Sequence, residues 1–175
     1  MRLTIALTML PALALAGPHK YDVSDDAKLD KAVQAELHHA ADHNCTERMT
    51  GDFKKVVLVG SFANDRGCMA EGYFADGVYV ADRGKSAPAL AASGWSDAKK
   101  RGDLAVAWAK EMTGDSFAGD PKAVAGKDGS VVVTGWVNDP VGMIPEQHSE
   151  QLEFRFTPAG DVTTKVLAQK TTKLH

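Results

Sequence analysis

Two Val-rich stretches, VVLVGSFAND at 56–65 and VVVTGWVND at 131–139, share a run of branched residues, an internal glycine and a closing Asn-Asp. A chain carrying two such units is constrained to build two similar halves, each centred on a buried strand. Met69 and Met143 follow the two stretches at the same distance and support the same reading, an internal duplication.

The surrounding pattern fits. Leu29, Val33, Leu37 and Ala40/Ala41 recur at three- and four-residue spacing, which predicts an amphipathic helix over 24–43 with Ser24 as N-cap and Asp25 and Asp26 in its first turn. FKKVVLVGSFA (53–63) reads as a central strand because both of its faces are apolar, and GCMAEGYF, Asp76-Gly77 and VYVAD read as a hairpin. The small, Pro- and Gly-containing DRGKSAPALAASGW reads as a linker. A second helix is predicted over 96–112 on Leu104, Ala105, Trp108, Ala109 and Met112, with Trp95 as a staple residue before it. Strands are then predicted at 121–125, SVVVTGWVN, QLEFRFT and VTTKVLAQKT, with Trp136 packed under a helix. One helix and three strands are thus expected in the first half. The fold class is α+β: two helix-plus-antiparallel-sheet halves, about 20–85 and 95–175, an internal duplication forming one compact domain. Either one long sheet or two sheets side by side would satisfy it.

Residues 1–16, MRLTIALTMLPALALA, combine one early arginine, an apolar run and a small-residue Ala-Leu-Ala end, the pattern of a secretory signal peptide. Its run of about 14 residues is too short to span a bilayer as a helix. Residues 17–175 are the expected mature domain, exported to a periplasm or secreted, with no membrane insertion after the signal is removed. Cys45 and Cys68 are the only cysteines, and an even pair in an exported chain reads as a disulfide worth roughly 3 kcal/mol. The net charge of −3, with acids and bases interspersed, excludes a nucleic-acid-binding stripe. A duplicated helix-plus-sheet layout in an exported, disulfide-bearing chain of this size resembles the secreted beta-lactamase-inhibitor proteins in architecture. The resemblance is carried by no shared motif residues and implies a fold alone.

Chemistry-bearing residues concentrate in ELHHAADHNC (36–45). On a helix His39 and His43 share a face, with Glu36 one turn earlier, so the three could hold zinc or copper. The competing reading is that histidines in a last helical turn complement its negative end. No GxSxG elbow, HExxH pair or phosphate-cradling glycine loop is present, and no resident cofactor is expected. NDPVGMIPEQHSE (138–150) reads as a loop between strands, carrying Met143 and Ile144 beside His148, and suits a ligand or partner contact. The leading expectation is a non-enzymatic binding module that contacts a protein or small ligand through its sheet surface and this loop. Metal binding by His39, His43 and Glu36 is the alternative.

Overall fold

The computed structural model describes residues 18–37, 44–62, 68–114, 116–138 and 146–173. Among these residues the chain forms three helices and two four-stranded antiparallel sheets, an α+β fold. Strands β1 (Asn44–Arg48), β2 (Val56–Phe62), β3 (Cys68–Ala75) and β4 (Val78–Val80) make the first sheet in chain order. Strands β5 (Lys122–Ala125), β6 (Val131–Asn138), β7 (Glu146–Phe156) and β8 (Val162–Lys173) make the second in the same way. Of the two arrangements open from sequence, the separate sheets are the one formed.

Side-chain alternation sorts the layers. Along β2, Val57 and Val59 join Phe74 and the α1 (Asp26–Glu36) residues Leu29, Ala32 and Val33 in one buried cluster. Val56 and Leu58 point the other way, into a cluster with Leu90 of α2 (Ala87–Ser93), Leu104 and Trp108 of α3 (Arg101–Met112), and Val131, Val133, Phe154 and Phe156 of the second sheet. The order is therefore α1, first sheet, α2 and α3, second sheet. β2 reads as apolar on both faces because helices cover both. Burial of each such side chain stabilises by roughly 1.5–3 kcal/mol.

Turn chemistry agrees with the backbone. Asp76 and Gly77 both take positive φ, 48° and 84°, which is what a two-residue hairpin turn with the twist of its strands requires. At Gly60 a Cβ would lie 1.8 Å from the Met69 carbonyl oxygen, so β3 can fold across β2 only over a glycine. At Gly135 it would lie 2.6 Å from the Phe117 ring, which covers that point of β6.

Several boundaries differ from expectation. The first helix is capped by Asp25, whose carboxylate accepts from the Lys28 amide at 2.9 Å, rather than by Ser24. Its last helical residue is Glu36, and Leu37 caps it, its N–H still bonded to the Val33 carbonyl and its side chain buried. The first half has four strands, not three: polar β1, with Cys45 its only buried residue, carries no alternation to read. The expected linker contains α2, anchored by buried Leu90 and by the Ser86 hydroxyl, which donates to the Gly160 carbonyl. The second helix begins at Arg101, later than its pattern suggested. Trp95 precedes it as a buried bracket, its Nε1–H donating to the Pro158 carbonyl at 3.0 Å while Arg101 Nε donates back to the Trp95 carbonyl at 2.8 Å.

Candidate binding surface

The stack begins with a helix and ends with a sheet, so the second sheet has one face that no described helix covers. Register identifies that face row by row: Lys122, Thr134, Glu153 and Lys165; then Val124, Val132, Arg155 and Thr163. Trp136, Gln151 and Ala168 make the third row, and Asn138, Ser149 and Lys170 the fourth. These positions alternate with Val131, Val133, Phe154 and Phe156, which face the core.

Trp136 therefore lies on the outer face instead of under a helix. Its ring is half-buried, with the Lys170 ammonium 4.4 Å from the ring centroid, a cation–π contact. Beside it the Ser149 hydroxyl donates to Asn138 Oδ1 at 2.9 Å, which fixes the amide. Cations outnumber acids on this face: Lys122, Arg155, Lys165 and Lys170 stand against Glu153. The signal in sequence was the alternation itself, which puts Trp136 out of phase with Val133; the aromatic character of the residue masked it.

The long β7–β8 hairpin carries most of this surface. After Val162 every residue of β8 is exposed. A β-bulge between Gln151 and Leu152 leaves Leu167 opposite no single partner and bends the edge. His148, expected in a loop, sits near the start of β7 with Nδ1 3.0 Å from Thr171 Oγ1. The loop reading of 138–150 is corrected at both ends, since Asn138 belongs to β6 and Glu146–Glu150 to β7. Met143 and Ile144 lie outside the described residues, as do His39 and His43. Glu36, the third expected metal ligand, is the last residue of α1 and accepts a hydrogen bond from the Tyr21 hydroxyl at 2.6 Å. Among the described residues no group of three His, Cys, Asp or Glu side chains converges as a metal site. None of the helices described is long and apolar enough to cross a membrane.

No family model matches this chain, no curated protein is significantly similar to it, and no solved structure matches its fold. The architectural resemblance drawn from sequence thus carries no activity over, and the surface is read from its own residues.

Proposed function

We propose that this chain is an exported, non-enzymatic binding module, built by duplication, that holds a protein or small-ligand partner on the outer face of the second sheet and the segment joining β6 to β7. The observation that carries the reading is the partly exposed Trp136 beside Lys170 on a face that no described helix covers. Large amphipathic anchors of this kind dominate interface energetics when a partner excludes water from them. The surplus of Lys and Arg on the same face suits a partner that presents carboxylates, with an association rate that falls as salt rises.

Export is supported by the signal-like residues 1–16 and by the cysteine pair. A Cys45–Cys68 disulfide would tie β1 to β3 across β2, where Cys45 pairs with Gly60 and Cys68 with Phe62.

The test begins with a partner captured from the exported fraction and purified, then titrated against the wild type, Trp136→Ala/Lys170→Ala, and Met143→Ser/Ile144→Ser. Affinity at least tenfold weaker in both variants, with thermal midpoints unchanged, supports the reading. Equal affinity across all three proteins sinks it.

A further inference from the structure

A cleft of about 600 Å³ opens at the far end of the first sheet, and shares no residue with the face of the second. Its size lies within the range of small-molecule sites. One wall is a strap, residues 20–24, laid against the β3–β4 turn. Tyr21 N–H donates to the Gly77 carbonyl at 2.8 Å, Lys20 pairs with Val78, and the Tyr21 ring packs edge-on against Phe74. Gly77 permits this approach, since a Cβ there would lie 2.3 Å from the Tyr21 carbonyl oxygen. The opposite wall is the turn at Lys54 and Lys55, held by a 3-10 turn, Gly51–Phe53, whose Phe53 ring is buried 5.6 Å from Trp108. Val57 and Val23 supply apolar lining, and Arg48 stands at the end of β1. The strap and the turn that frame the cleft are thus held by backbone and ring contacts.

Charge bookkeeping identifies what the cleft lacks. It is lined by Lys20, Arg48, Lys54 and Lys55 against Asp22 and Asp76. Both acids are already engaged, Asp76 with Lys20 and Asp22 with Lys28, each at 2.8 Å. Lys55 acts on Asp76 only as a weaker, more distant charge, and Lys54 has no ion-pair partner among the described residues. Arg48 donates to the Val23 carbonyl at 2.9 Å and reaches exposed Asp26 only at 3.3 Å. Lys54 and Lys55, without a close ion-pair partner among the described residues and beside an apolar floor, complement an anion with an apolar body, and Arg48, already bonded to Val23 and Asp26, adds its charge to theirs.

We propose that this cleft binds a small organic anion, its carboxylate or phosphate held by Lys54, Lys55 and Arg48 and its apolar body resting on Val23 and Val57. The probes are phenyl phosphate and benzoate, titrated calorimetrically into the full chain at low ionic strength, with amide chemical shifts mapping the site. The expected result is one saturable site for at least one probe, with shifts centred on 20–24 and 54–57. Lys54→Ala/Lys55→Ala should weaken binding at least tenfold, whereas Lys127→Ala/Lys173→Ala, which removes equal charge from exposed positions outside both surfaces, should change it less than twofold. The probe that binds more tightly names the head group. The proposal is overturned if neither probe saturates at 10 mM, if both double variants lose affinity equally, or if the shifts map elsewhere.

Discussion

Tyr73 shows what burial does to one polar group. Its ring is fully buried against Trp108 at a centroid distance of 5.5 Å, and its hydroxyl donates to the Lys85 carbonyl. Desolvation pushes its pKa up to about 12, because the phenolate would have to form away from water, and the Asp82 charge adds to the effect. An unfolded tyrosine ionises near about 10. The folded pKa is the higher one, so this contribution is fully present below pH ~10 and is lost as pH rises through ~12, roughly 3 kcal/mol in all. Urea unfolding of the wild type and Tyr73→Phe should accordingly differ at pH 8 in favour of the wild type, and the gap should shrink or reverse at pH 11.5. A constant gap would mean that Tyr73 ionises as freely in the fold as outside it. Nothing in the sequence marks Tyr73 apart from the Tyr79 that follows it, since their environments are set by packing. Gly60 and Gly135 were different, because an internal glycine in a Val-rich strand already signals a close approach.

Single elements were legible where one face is apolar and illegible where neither is. Leu29 and Val33 announced α1, and Leu104 and Trp108 announced α3, because each run meets the core every third or fourth residue. β1 was lost, since NCTER buries one residue of five and so has no period. α2 was lost because APALAAS, small and proline-led, has the composition of a linker, and only its packing makes it a helix. β8 was read as a strand, but its role needed the sheet. It is a long edge with exposed Val166 and Leu167, a form that invites pairing with another chain. Lys165, Lys170 and Lys173 and the bulge at Leu167 oppose that pairing, because an incoming strand would bury charges against a bent edge. Replacing the three lysines with threonine should therefore produce concentration-dependent association, visible as a rise in mass by light scattering across a dilution series. A monomer at every concentration would show that the bulge alone protects the edge.

At the scale of the whole molecule, the two similar Val-rich strands left separate sheets as one of two foreseeable arrangements, but not the way α3 joins them. Trp108 explains the difference. In a helix that served only its own sheet, its neighbours would come from the second half; instead its ring meets Phe53 and Tyr73 of the first, while the same buried cluster contains Phe154 and Phe156 of the second. Such contacts join residues remote in sequence, and no local pattern encodes them. The arrangement also sets how stability is shared. Because the buried face of α3 packs against residues of both sheets, neither sheet can open its inner face without exposing the other's, and the two should unfold together. Trp108→Ala should cost about 3–5 kcal/mol through lost burial and the cavity left behind. Native-state hydrogen exchange would then find the amides of Val57 and Val59 in β2 and of Val132 and Val133 in β6 losing the same protection free energy. Loss confined to β6, with β2 still protected at its wild-type level, would instead make the first sheet and α1 a unit that stands without α3.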